Sequence, residues 1–143
     1  MNASMDVEDI ASRLASFFSA RQGVHAAWLF GSRAAGRSHS ESDVDVGVLL
    51  EHERYPAARM RFDARVRMTA DVIALLHMND IDLVVLNDAP PRFARRVVME
   101  GRCIHRANAE AEHAFRRDVQ LRAADIAPFL DRMGRLKMEA LRH

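Results

Sequence analysis

Apolar residues recur in the first part of the chain at the spacing of a single helical face: Val7, Ile10, Ala11, Leu14, Phe17 and Phe18. That periodicity predicts a helix over residues 7–20, ended by Gly23. The pattern then changes. Ala26-Ala27-Trp28-Leu29-Phe30 is an uninterrupted apolar run and reads as a short strand. Val44 to Leu50 reads as a second strand, Ile81 to Leu86 as a third and Arg102 to His105 as a short fourth. Between the second and third strands a long helix is expected from about Pro56 to His77, with Pro56 tolerated in its first turn. Pro90-Pro91 opens a short helix that ends near Gly101. Asn108 to Ala123 is expected to be helical, and Asp125 to cap a further helix whose Pro128 still falls in the first turn. Strands alternating with helices predict an α/β or α+β sandwich, with the sheet order left open.

Composition adds bounds rather than detail. The 143 residues, 49% hydrophobic and 29% charged, suit one globular domain with a helical appendage. The expected division is 1–107 for the domain and 108–143 for the helical extension. Charge is unevenly spread. Residues 1–91 carry nine basic and thirteen acidic side chains, a net of −4, whereas residues 92–143 carry twelve and seven, a net of +5. Continuous Lys/Arg blocks are absent, so no direct nucleic-acid binding is expected. Cys103 is the only cysteine, which excludes an intrachain disulfide and a cysteine-rich metal site. With no apolar stretch near 18 residues and no apolar N-terminal segment, a cytoplasmic protein without membrane attachment is expected.

The chemically informative stretch runs from Gly31 to Asp45. Gly31-Ser32 follows directly on an apolar strand, and Ser42-Asp43-Val44-Asp45 leads into the next. Glycine permits positive φ and lets backbone approach a ligand closely. A helix beginning here would point free amides and a positive dipole end at a phosphate. Asp43 and Asp45 are two apart on a predicted strand, so both carboxylates face one way while Val44, Val46 and Val48 face the other. Two close carboxylates raise each other's pKa unless a cation intervenes, and a hard cation such as Mg²⁺ takes oxygen ligands. Solvated aspartates on an exposed sheet face would show the same spacing. Asp82 shifts that balance, because it sits in the otherwise apolar run Ile81 to Leu86, where a carboxylate needs a partner or a metal. If its strand lies beside Val44–Leu50, the acids can form a cluster able to hold two metal ions, with Asp82 also placed as general base.

Together, Gly31-Ser32, Gly36, Ser42-Asp43-x-Asp45 and the later strand residue Asp82 resemble the minimal nucleotidyltransferase (MNT) family of the DNA polymerase beta-like superfamily. The resemblance runs from the first helix through Gly101 and is weaker in the tail. It implies a nucleotidyltransferase fold, a small mixed β-sheet packed by helices, and Mg²⁺-dependent transfer of AMP from ATP. It assigns Asp43, Asp45 and Asp82 as catalytic and metal-binding residues, with two metal ions, and Gly31 and Ser32 as phosphate contacts; Arg33, Gly36 and Ser42 are further candidate nucleotide contacts read from the loop itself, where Arg33 fits a solvated arginine equally well. Many such small proteins are antitoxins that adenylylate a hydroxyl, typically of tyrosine, on a HEPN-domain RNase toxin and form a hetero-oligomer with it. Ala35 departs from the family, whose members often carry Arg there; Arg33 or Arg37 stands near enough in sequence to substitute.

Two other functions fit the same residues: an antitoxin that neutralises by occlusion alone, and a transferase acting on a small molecule such as an aminoglycoside. The histidines show no metal-ligand spacing, and Ser32 lacks the Gly-x-Ser-x-Gly elbow of a serine hydrolase. Arg59, Arg61, Arg65 and Arg67 read as a solvated helix face. Ile126, Phe129, Met133, Leu136 and Ala140 form one apolar stripe, expected to pack on its own domain or, alternatively, to meet a partner.

Overall fold

In the computed structural model, residues 5–31 and 43–142 are described, apart from the side chains of Glu139 and Arg142. Helix α1 spans Val7–Ser19, and its N-terminus is capped by the Asp6 carboxylate, which accepts from the Asp9 N–H at 2.8 Å. Strand β1 is Val24–Phe30 and β2 is Val44–Leu50. Helix α2, Ala58–Leu76, crosses to β3, Ile81–Val85, and a single 3₁₀ turn, Leu86–Asp88, follows. Helix α3 is Pro91–Glu100, with Pro91 at a first-turn position where its missing N–H has no consequence. Strand β4 is Arg102–Arg106 and helix α4 is Ala109–Arg142.

The strands order as β3-β2-β1-β4. β1 runs antiparallel to both β2 and β4, while β2 and β3 are parallel. The parallel pair needs a long return connection, and α2 supplies it. Each sheet face is covered. On one, Val44, Val46, Val48 and Leu50 of β2 and Leu83 and Val85 of β3 meet Ile10, Leu14 and Phe18 of α1 and Met68, Val72 and Leu76 of α2. On the other, Trp28 and Leu49 meet Ala94, Val97 and Val98 of α3 and Val119 of α4. Gly47 keeps α3 close to this second face, because a Cβ there would stand 3.1 Å from Val97 and 3.3 Å from Leu86.

Helix α4 corrects one expectation. Asp125 caps nothing; α4 is one continuous helix of 34 residues with Pro128 in its interior. Proline's fixed φ is itself helical, so Pro128 removes one hydrogen bond without forcing an end, and Ala123, Ala124 and Ala127 around it favour helix. The true start lies at Asn108, whose side chain accepts from the Ala111 N–H at 3.0 Å. The early part of α4 is anchored by buried Val119 and Ala123, and by Glu112, fully buried and paired with Arg116 at 2.6 Å. Beyond Pro128 the apolar stripe does not pack on its own domain: Phe129, Met133 and Leu136 are 56%, 48% and 54% exposed. The body is too small to reach under this distal half.

This division predicts unequal costs of truncation. Trp28→Ala, at a fully buried site, should lose about 3–5 kcal/mol of unfolding free energy. Leu136→Ala should change it by less than about 0.5 kcal/mol. Urea denaturation of the two variants measures both.

Candidate functional site

The site follows from strand alternation and from one register. On β2, the valines at 44, 46 and 48 enter the α1/α2 core, so Asp45 projects from the opposite face, and Asp43, two residues earlier, lies on the same side. On β3, Leu83 and Val85 enter that same core, which leaves Asp82 on the face of Asp45. The parallel register sets Asp45 directly opposite Asp82 and Val44 opposite Ile81. The Val44 N–H donates to the Asp80 carbonyl at 2.8 Å, fixing this end of the pair.

Asp45 is half-buried, whereas Asp43 and Asp82 are exposed. Its carboxyl is pushed up to about 6, first by loss of water on burial, then by the neighbouring charges of Asp82 and Asp43. The three acids are therefore one electrostatic unit. β1 closes the site on its far side. Phe30 lies opposite Asp45 across the antiparallel pair, and Gly31 follows with φ +82°. A Cβ at Gly31 would collide with Asp45 Oδ2. Gly31 is thus required twice, for its left-handed backbone and for the room that the Asp45 carboxylate occupies.

The carboxylates point to different neighbours. Asp45 leans toward Gly31, while Asp82 Oδ1 lies 4.0 Å from the Arg65 guanidinium. That contact is long and half-exposed, so it screens Asp82 without closing the site. Among the described residues no group of three His, Cys, Asp or Glu side chains already stands close enough to hold a metal ion. The donor chemistry nevertheless fits a hard divalent cation: oxygen ligands only, from strand-held side chains whose raised proton affinity a positive charge would relieve.

Arg61 and Arg65, expected to be solvated, are structural. Arg65 Nε donates to the Leu83 carbonyl at 2.7 Å on the outer edge of β3. Arg61 grips Asp88 with two bonds of 2.9 Å and also donates to the Tyr55 carbonyl. Their i,i+4 spacing was a signal of a shared helix face, but not of what that face meets. A hollow of about 730 Å³ opens between the start of α2, the edge of β3 and the start of α3, walled by Phe62, Val84 and Phe93 and not by Asp82. Sequence reasoning gave no sign of it. Ser32, Arg33, Gly36 and Ser42, together with Ala35 and Arg37, lie outside the described residues.

Two outcomes test this geometry. Asp45 holds its proton more tightly folded than unfolded, so between about pH 4 and pH 6 the folded state binds more protons, and unfolding free energy falls as pH rises through that window. Asp45→Asn removes the repulsion and should raise Tm at pH 7, with the gain gone near pH 4; thermal melts at the two pH values read this directly. Gly31→Ala, which drives a methyl into Asp45 Oδ2 on a strained backbone, should lower Tm in wild-type background and leave no gain when Asp45→Asn is added.

Comparison with known proteins agrees with this fold. A family model described as polymerase beta, nucleotidyltransferase, matches residues 12–110. Among solved structures, a toxin–antitoxin complex with AMP-PNP superposes with a TM-score of 0.61 at 20% identity, covering 86% of this chain and 97% of that one. An MNT antitoxin bound to tri-AMPylated HEPN toxin from Shewanella oneidensis gives a TM-score of 0.61 at 18% identity, covering 89% and 98%. The toxin–antitoxin complex MntA–HepT gives 0.60 at 19% identity, covering 87% and 96%. At such identities these three establish a shared fold. No curated protein matches the sequence closely. The family match spans more than half of the chain, from the middle of α1 to the start of α4, and so the chain belongs to the polymerase beta nucleotidyltransferase family.

Proposed function

We propose that this protein is a Mg²⁺-dependent adenylyltransferase that moves AMP from ATP onto a hydroxyl of a partner protein, a HEPN-domain RNase toxin, and so acts as its antitoxin. The observation that carries this reading is Asp45 set opposite Asp82 and against Gly31, with Asp43 near enough that its charge helps raise the Asp45 carboxyl. Residues 1–107 form the catalytic body and 108–143 the helical extension. The triphosphate lies along Gly31 and Ser32, with Arg33, Gly36 and Ser42 completing its contacts. Asp43, Asp45 and Asp82 hold divalent ions, which when bound neutralise charge on the phosphates.

The acceptor oxygen forms its bond to the α-phosphorus as the bond from that phosphorus to the bridging oxygen of the β-phosphate breaks. Pyrophosphate departs with the bond's electron pair. The acceptor's proton passes to Asp82, which lies at the outermost strand of the site and is exposed to an incoming molecule. Gly31 keeps Asp45 oriented by leaving its carboxylate room.

Two further features support a protein acceptor. Solved structures of similar fold include an antitoxin with an AMPylated HEPN toxin and a toxin–antitoxin complex with an ATP analogue. The distal half of α4 also exposes Phe129, Met133, Leu136 and Leu141 together, an apolar face suited to a protein surface. No described helix is long and apolar enough to cross a membrane, so that face is not a membrane span.

Purified chain, Mg²⁺ and α-labelled ATP, incubated with the protein encoded beside it, should label that protein. Asp43→Asn should lower the rate at least about a hundredfold, the scale of a lost charge-stabilising group. Neutralisation of the partner that survives Asp43→Asn with no label transferred would overturn catalysis in favour of occlusion.

A further inference from the structure

We propose that the groove between α3 and α4 is a docking surface for an acidic helix of a partner protein. The surface is built from residues outside the carboxylate cluster and does not depend on the adenylyltransferase reading.

The groove holds about 880 Å³. Arg92, Arg95, Arg96 and Met99 line it from α3, and Ala123, Ala124 and Ala127 line it from α4. Its form follows from the two helix sequences. On α3, Ala94, Val97 and Val98 are buried toward the sheet. Arg92, Arg95, Arg96 and Met99, at i, i+3, i+4 and i+7, therefore occupy the opposite face. On α4, three alanines stand where longer side chains would fill the space, so the floor is low and apolar. Gln120 bridges the two walls, donating to the Met99 sulfur at 2.9 Å. Phe93, also in the lining, rests edge-on against Phe30 at 5.7 Å and ties the α3 wall to β1.

Charge says what fits. Among the described residues Arg92, Arg95 and Arg96 make no ion pair or hydrogen bond, whereas Arg21, Arg61, Arg102, Arg116 and Arg122 are all paired with acids. Against the three free charges the described lining sets a single acid, Glu100. Like charges three and four residues apart on a helix repel. Arg92 also lies in the first turn, at the positive end of the helix dipole. The arginine face is thus unfavourable in the free chain, and a row of carboxylates relieves it.

Spacing selects a helix as the carrier of those carboxylates. Arg92 and Arg96 are about one turn apart, a rise of roughly 6 Å. A helix laid along α3 repeats its own side chains at that rise, so glutamates at i and i+4 meet both guanidiniums. The alanine floor lets such a helix come close and takes up its apolar side chains, with Met99 adapting to their shape. Nucleic acid fits less well, because the floor offers neither a donor for phosphates nor an aromatic face for bases.

The full chain is titrated with a fluorescein-labelled peptide of three repeats of Glu-Ala-Ala-Leu-Glu-Ala-Ala and with its lysine counterpart, read by anisotropy. The glutamate peptide should bind at least about tenfold more tightly, and Arg92→Glu combined with Arg96→Glu should abolish that preference. Ala124→Leu, at an exposed helical position, keeps every charge and fills the floor. It should weaken the glutamate peptide by about tenfold, which general attraction between charges would not show. Circular dichroism should be unchanged in both variants. Equal binding of the two peptides overturns the proposal, as does a glutamate peptide that binds Ala124→Leu as tightly as wild type. Two other occupants would also overturn it. A labelled uridine oligonucleotide that binds more tightly than the glutamate peptide, and is lost with the arginine substitutions, assigns the groove to nucleic acid. A chain that sediments as a dimer, and as a monomer in Ala124→Leu, assigns it to a second copy.

Discussion

The parallel register of β2 with β3 is the constraint on which the site depends. It sets Asp45 opposite Asp82 at the ends of two strands whose other faces are locked in apolar core. Neither strand can slip by one residue to relieve the repulsion, because a slip would turn Val44, Val46 and Val48 outward and aspartates inward. The core therefore holds like charges together that would separate if free. The raised Asp45 carboxyl is the visible consequence, and its two causes, burial and neighbouring charge, both come from that forced position.

How much of this was legible in the sequence follows from the range of each interaction. Alternation along 43–50 is local, so the shared face of Asp43 and Asp45 could be read directly, as could the oddity of Asp82 in an apolar run. Which strand lies beside which is not local. The fold settles it with a parallel crossover through α2 that leaves β1 between β2 and β4. Gly31 was legible as a turn and a backbone approach, but not as the space that Asp45 fills. Arg61 and Arg65 were misread because a charged helix face looks the same whether it meets water or a strand edge; here Arg65 satisfies a carbonyl of edge strand β3. Pro128 was read as a boundary because proline at a helix start and proline within a helix differ only in what precedes it, and three alanines nearby tip it toward continuity.

The family match and the low identities fit the same division. The features this fold needs are few: a glycine at the end of β1, acids alternating with valines on β2, one acid on β3, and apolar residues at the remaining core positions. Most hydrophobic side chains of suitable volume serve in the core, so sequences can diverge widely while the sheet keeps its order. In this chain a substitution at a carboxylate changes charge at a point where three side chains share one field.

Exposed apolar surface among the described residues includes the distal half of α4 and the hollow at β3, which lie in different settings. The distal half of α4 is exposed because the body ends before the helix does: Leu136 and Leu141 face solvent with no sheet left to cover them. Such a surface can hold a partner, but it carries no chemistry. The hollow at β3 is another case. At its walls Arg61 is bound to Asp88 and Phe93 rests edge-on against Phe30, so both walls are fixed by paired side chains. That opening is bordered by Val84, two residues along β3 from Asp82 and on the same face of the sheet.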